Sequence, residues 1–533
     1  MKRILSILCV LMMILVSCNG ESANINQTTN TTNASNETHI STNQSTEEQV
    51  ISSKNQTILP TEKLPIELKQ LIDSNRKAVF KPVDRLSVSK IVNGYQTTGL
   101  DPETDAKIAE MLKQAKNEYG DIINPEALTH EQILQELDYL FDLLKYGYAA
   151  YTYFGGDEVF SALKQLMQAK LSTMNDPLSS DAYMNELLVP YLRSVIIDNH
   201  FSISSADSYA SIGKTKIFYS CEDIFFNKDG EDYITNMDGK EYRLADDKAK
   251  TYMLPTLDRD GKLAWIIGMM NVSNGISIKS LRVNFEDVQT KEIISKQMYL
   301  TAESFDYFKD LSSDVYTISD ENNIPILTNR ALQSNNKSGE DQLSAFVDTG
   351  KTLRDKNLLI LDLRRNGGGN SGYAYKWLIN YTNTIYAPRY PFFNTQLFTN
   401  TSMEIYNEGM NSKPINFWSD VSYENPKQLT NANLVFVLTD NQIGSSGETF
   451  IGYLRQMDNV IFVGVPTLGC LTTGNIGSNI LPESKLYIRL GVQLNILPDL
   501  SQFEGEGFAP DLWVPPGESL ERTIKFIEQY GLN

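Results

Sequence analysis

The chain has 533 residues, 41 % hydrophobic and 10 % aromatic, which suits about three domains and excludes a wholly disordered or fibrous protein. With 47 Lys and Arg against 66 Asp and Glu, the net charge is −19. A surface this acidic repels phosphates, so the balance argues against binding nucleic acid. The cysteines Cys9, Cys18, Cys221 and Cys470 are too few for a disulfide framework and lack metal-ligand spacing. Cys221 and Cys470 can pair in an oxidising compartment only if the fold brings them together.

In chain order, Lys2 and Arg3 precede an apolar run from Ile4 to Val16, which reads as a signal peptide over residues 1–17. The run is shorter than the ~20 residues a membrane span needs. Its end, Leu15-Val16-Ser17-Cys18, resembles the bacterial lipobox. That resemblance implies cleavage before Cys18, lipidation of its sulfur and a lipid anchor on the outer side of a bacterial membrane. An ordinary signal peptide beside a chance cysteine is the alternative. Residues 18–57 are dominated by Asn, Thr, Ser, Gln and Glu with no periodic apolar set. They read as a disordered tether. His39 falls there with no motif around it.

A helical domain is expected over 58–200. Thr129 and Gln132 form a capping-box pattern, and Ile133, Leu134, Leu137, Leu140, Phe141 and Leu144 follow at helical spacing. His130 sits in the capping turn as a surface residue. Phe160, Leu163, Leu166 and Met167 predict a second helix and Leu187 to Ile197 a third, broken at Asn199-His200. A β-rich domain follows over 201–335, with strands around Ile217–Tyr219, Leu263–Met269 and Ile276–Val283 and turns at Lys228-Asp229-Gly230 and Arg259-Asp260-Gly261. The last part, 336–533, alternates strands (Leu358–Leu363, Leu434–Leu438) with helices (Tyr373–Asn380, Glu448–Met457), an α/β pattern.

Chemistry is concentrated in two glycine-rich segments. Leu434–Asp440 runs into Gly444-Ser445-Ser446-Gly447-Glu448, a strand, a small-residue turn and a helix start. A serine there has close backbone approach and amides that favour negative charge, although capping the helix is the plain alternative. Asp362-Leu363-Arg364-Arg365-Asn366-Gly367-Gly368-Gly369 follows another buried strand. It lacks the lysine or spacing of a phosphate loop, so an amide pocket and a tight turn both stay open.

These two segments, with Gly464-Val465-Pro466-Thr467-Leu468-Gly469 and Glu504-Gly505-Glu506-Gly507-Phe508-Ala509-Pro510-Asp511 in the same order, resemble the tail-specific, or C-terminal-processing, serine peptidase family. The resemblance implies a ClpP/crotonase-like ββα spiral and Ser445 as nucleophile. Many members pair the serine with a lysine 25 positions later, but here that position is Cys470. A free thiol near pKa 8.5 is a poor substitute for that amine. The tricorn-like branch uses a histidine instead, and Asp198-Asn199-His200-Phe201 resembles its histidine segment, with Asn199 where a small residue is usual.

By this resemblance His200 is the general base, titrating near 6.5 when unperturbed. Glu504 is the orienting acid, with Glu506 as the near alternative, acting either directly or through Asn199. The oxyanion donors are expected among the amides of Gly367, Gly368 and Ser446, while Asp362 and Arg364 hold the loop. No metal or organic cofactor is expected. The implied substrate is a peptide or unfolded protein tail. The competing expectation is a non-catalytic lipoprotein of the same fold that binds peptides or small apolar ligands. The β-rich domain stands where many relatives carry a peptide-binding PDZ module, but no carboxylate-binding loop marks one here.

Overall fold

The computed structural model describes residues 59–79, 85–94, 103, 106–107, 123–272, 278–303, 314–334, 336–385, 392–395, 417–418, 426–496 and 503–533. The expected signal peptide, Cys18, the tether and His39 lie outside the described residues.

After helices at Ile66–Val79 and Arg85–Asn93, the first of the three expected helices, His130–Gly147, starts on the expected capping box: the Thr129 side chain accepts from the Gln132 amide, and the Gln132 side chain accepts from the Thr129 amide. Of the apolar stripe, Leu134 is turned out, at 39 % exposure, whereas Ile133, Leu137, Leu140, Phe141 and Leu144 are buried. His130 bonds the Asn175 carbonyl at 2.8 Å, a turn contact. The second helix spans Gly156–Leu171. The third begins and ends earlier than its apolar pattern suggests, as consecutive pieces Ser180–Ala182, Tyr183–Leu188 and Val189–Leu192, the middle one π-helical. Its N-cap is Ser179, whose side chain accepts from the Ala182 amide.

These helices do not close a core alone. Leu140, Leu144, Phe160, Leu187, Leu192 and Phe201 share one buried cluster with Ile488, Leu490, Val492 and Leu494 from far down the chain. The latter belong to the strand Tyr487–Asn495, which pairs antiparallel with Ser202–Ser204 (Ser202 opposite Arg489) and with Thr473–Ile480. This long-range core positions residues 198–204 against residues 470–495.

A second sheet of eight strands lies between Lys216 and Ala302 and curls until Phe226 bridges Trp265. The expected turns close its hairpins, with Gly230 and Gly261 at positive φ. The third sheet runs Tyr316–Glu321, Ile324–Asn329, Leu358–Asp362, Leu434–Thr439, Val460–Gly464 and Leu512–Trp513, parallel from its second strand onward. Its central strands are buried on both faces, as parallel sheets are. Leu359, Leu361, Val435 and Val437 enter one core, and Leu358, Ile360, Leu434, Phe436 and Leu438 the other. Each such side chain contributes about 1.5–3 kcal/mol of burial.

Sheet membership runs across the expected boundaries at 200 and 335: residues 202–211 pair toward the C-terminal strands, and 316–329 join the parallel sheet. The described residues are α/β, with a helical N-terminal part and two sheets besides the parallel one.

Candidate active site

The parallel strand Leu434–Thr439 ends at a buried turn, and the helix Ser446–Leu454 begins there. Ser445 sits between them at φ 52° and ψ −123°, and its side chain caps nothing. A non-glycine residue in so sparsely populated a backbone region costs about 1–3 kcal/mol, so the surroundings must impose it. They do so through the glycine loop. Asp440 accepts from the amides of Arg365, at 2.9 and 3.0 Å, and Gln442, at 3.1 Å. The Asn366 carbonyl accepts from the Gly444 amide at 3.1 Å. A Cβ at Gly447 would meet that carbonyl oxygen at 2.4 Å, so only glycine permits the approach.

Two arginines stiffen the loop's base. Arg364 and Arg330 both chelate buried Asp362, with contacts of 2.7–2.9 Å. Burial alone would raise the Asp362 pKa, but the two guanidinium groups hold it well below the usual carboxylate range.

The three expected oxyanion donors separate. The Gly368 amide already donates to Asn366 Oδ1 at 3.0 Å, because the loop folds back on its own asparagine. Gly368 is needed instead for space: it has φ 99°, and a Cβ there would lie 3.0 Å from Ser445 Cβ. The amides of Gly367 and Ser446 make no hydrogen bond among the described residues, and a Cβ at Gly367 would meet nothing within 4 Å. Ser446 adjoins Ser445 in the chain, and Gly367 precedes the glycine that packs against it, so these two amides are the available pair.

Glu448, three residues after Ser445, is fully buried. It accepts from Thr467 Oγ1 at 2.5 Å, the Gly469 amide at 2.7 Å and the Cys470 amide at 2.6 Å. Burial pushes its pKa up to about 7 against the pull of these donors. The helix thereby fastens the 467–470 loop beside the serine, and a Cβ at Gly444 would stand 3.8 Å from Cys470 Cβ.

Cys470 Sγ lies 3.1 Å from His200 Nδ1 and 3.3 Å from Nε2. Near-equal distances put the sulfur over the ring, in line with neither nitrogen. Burial, then Glu504, Glu448 and Asp198, push the thiol well above its ordinary value, so it remains protonated. Cys470 and Cys221 are both free and buried. Cys221 belongs to the core of the eight-stranded sheet, which leaves the two unpaired. Lys485, the nearest later lysine, donates to Pro482 O in a hairpin turn at 2.6 Å.

His200 is buried. Burial lowers its pKa from the ordinary value, Asp198 opposes the shift and Arg489 adds to it. The imidazole is therefore neutral at neutral pH and able to accept a proton. Thr473 Oγ1 stands 3.4 Å from Nδ1. No hydrogen bond joins Ser445 Oγ to His200 among the described residues, and such contacts often tighten only when substrate is bound.

Glu504 reaches the segment before the histidine but not the ring: its oxygens accept from the Asn199 amide at 2.7 Å and the Thr472 amide at 3.1 Å. Its pKa is raised by burial and by Asp198. Glu506 turns outward to pair with Lys216. Asn199 donates its side-chain amide to the Gly469 carbonyl at 2.9 Å, so it ties the histidine loop to the Cys470 loop. The sequence reading overlooked Asp198, Tyr148 and Thr473. Asp198 had a signal in its place two residues before His200, whereas Tyr148 and Thr473 carried none.

A family model described as Peptidase family S41 matches residues 330–514. No curated protein matches the chain. Among solved structures, the chain is similar to mature CPAF, at 13 % identity and a TM-score of 0.39 over 75 % of this chain and 96 % of that one. It is also similar to the photosystem II D1 C-terminal processing protease, at 13 % identity and a TM-score of 0.31 over 73 % and 94 % of the two chains. For the tricorn protease the identity is 13 % and the TM-score 0.31, over 75 % of this chain and 37 % of that one.

Proposed function

We propose, from the premise that residues 330–514 belong to peptidase family S41 and the chain is a serine-type peptidase, that it is an endopeptidase of the C-terminal-processing type with Ser445 as nucleophile and His200 as general base. The observation that carries this reading is Ser445 itself: strained, uncapped, followed by one unengaged amide at Ser446 and packed against the loop that holds a second at Gly367. Neutral His200 takes the Oγ proton as Ser445 attacks the scissile carbonyl. The Gly367 and Ser446 amides receive the developing oxyanion. His200 then returns the proton to the leaving amine, and water, activated the same way, releases the acyl group. The substrate class is a peptide or unfolded protein tail. Burial of His200 supports the base role by keeping the ring unprotonated.

The test is hydrolysis of an unstructured protein, with fluorophosphonate labelling, by the parent, Ser445→Ala and His200→Ala. Loss of both signals in both variants supports the reading. Full hydrolysis by Ser445→Ala contradicts it and leaves another nucleophile, and a parent that neither hydrolyses nor labels leaves the non-catalytic binding lipoprotein.

The sequence alone supports a further proposal about place: lipidated Cys18 and the 18–57 tether hold the enzyme to a bacterial membrane, outside the cytoplasm. Mass spectrometry of membrane-extracted protein should find a lipidated Cys18 as the mature N-terminus. An intact Met1 contradicts it.

A further inference from the structure

We propose that Asp198, acting through the Thr473 hydroxyl, is the positioning residue that orients His200, while Glu504 holds only the main chain beside it. This rests on the assignment of His200 as base.

Asp198 is completely buried, and its donors are all polar groups of the site. Oδ1 accepts from the His200 amide at 2.8 Å, Oδ2 from Tyr148 Oη at 2.7 Å, and both oxygens lie 2.9 Å from Thr473 Oγ1. Thr473 has one hydroxyl proton, and the carboxylate claims it. The Thr473 oxygen can then only accept from His200 Nδ1, 3.4 Å away. An unprotonated Nδ1 would set two acceptors face to face. The proton is thereby fixed on Nδ1 and the lone pair on Nε2, the tautomer a base toward serine requires. A Cβ at Gly491 would come 2.3 Å from Thr473 Oγ1, so the neighbouring strand leaves room for this hydroxyl only because it carries glycine there.

Glu504 does not do the same: its oxygens accept from the Asn199 and Thr472 amides, and no hydrogen bond joins it to the imidazole or to the Thr473 hydroxyl among the described residues. The charged and titratable groups around the ring come from several elements. Asp198 precedes the ring on its own loop, and Tyr148 follows the helix His130–Gly147. Arg489 lies on the paired strand and Cys470 over the ring, while Glu448 and Glu504 stand behind the cysteine. Of the carboxylates, Asp198 is the one that acts on His200, holding its pKa up against burial.

The test is the pH profile of kcat/KM on one unstructured protein for the parent, Asp198→Asn, Thr473→Val, Thr473→Ser and Glu504→Gln. Asp198→Asn should lose about 100-fold or more, by analogy with loss of the orienting carboxylate in serine proteases. Its acid limb should move to lower pH, because the charge that favours imidazolium is gone. Thr473→Val should lose activity and Thr473→Ser recover it, which covers the case in which Asp198→Asn fails to fold. Glu504→Gln should lose less, with the limb unmoved. Asp198→Asn and Thr473→Val with parental rates and parental limbs would overturn the proposal, as would a shifted limb in Glu504→Gln alone. A dead His200→Ala in the same series leaves the base assignment standing in that event. An active His200→Ala removes the base assignment itself.

Discussion

The two sides of the site are built differently. The nucleophile side is local: strand, turn, helix and glycine loop all lie between Leu358 and Cys470, and its constraints are backbone contacts such as Gly444 to Asn366. On the base side, Asp198 meets Thr473 across 275 residues and Asn199 meets Glu504 across 305. The mixed core of early helices and late strands holds those segments together. Local geometry must be written in consecutive residues, because glycines and turn acids act on their own backbone. Distant geometry is written in packing, which leaves a single His and a single Asp with little pattern around them.

The comparison can be broken most severely at its centre. Ser445→Ala and His200→Ala should each reduce kcat on an unstructured protein on the order of 10^4-fold or more, with circular dichroism unchanged. A large loss on one side only would mean that the two sides do not serve one reaction.

The glycine loop gives the next contrast. Gly368→Ala adds a side chain at φ 99° against Ser445, a backbone cost of about 1–2 kcal/mol before any clash. It should lower both urea stability and kcat. Gly367→Ala keeps the amide and meets open space, so its kcat/KM should stay close to the parent's. The reverse order would mean that Gly368 is not the residue that makes room beside Ser445.

Glu448→Ala should cost about 1–3 kcal/mol for each buried donor it leaves without an acceptor, read from urea unfolding. Its activity should fall as the Cys470 loop loosens from the serine.

The pH prediction concerns the base alone. His200's pKa is lowered by burial, so activity should be full above the ordinary histidine value of ~6.5 and should fall only at lower pH as the ring takes its proton. A kcat/KM limb centred above 6.5 would contradict this. The smallest effect is expected at Cys470→Ser. The thiol lies over the ring and is in line with neither nitrogen, so most kcat/KM should survive.

Legibility in the sequence follows the same division. The apolar runs at Leu358 and Leu434, the capping box at Thr129 and the small-residue turn at Ser445 each carry a short-range signal, and each appears where expected. Leu134 departs because it follows the helical stripe yet faces away from the core. The Gly368 amide could not be judged from sequence, since its engagement depends on how Asn366 turns. Glu504 was legible as a neighbour of the histidine loop. That it would grip amides rather than imidazole was not, because the outcome depends on the placement of Asn199 and Thr472.

The central claim is that His200 deprotonates Ser445, and the most direct measurement is the rate of Ser445 acylation by a fluorophosphonate as a function of pH. The parent should show one acid limb below pH ~6.5, and His200→Ala should label at least about 1000-fold more slowly with no limb. Labelling of His200→Ala at the parental rate, or a limb that survives in it unchanged, would contradict the account.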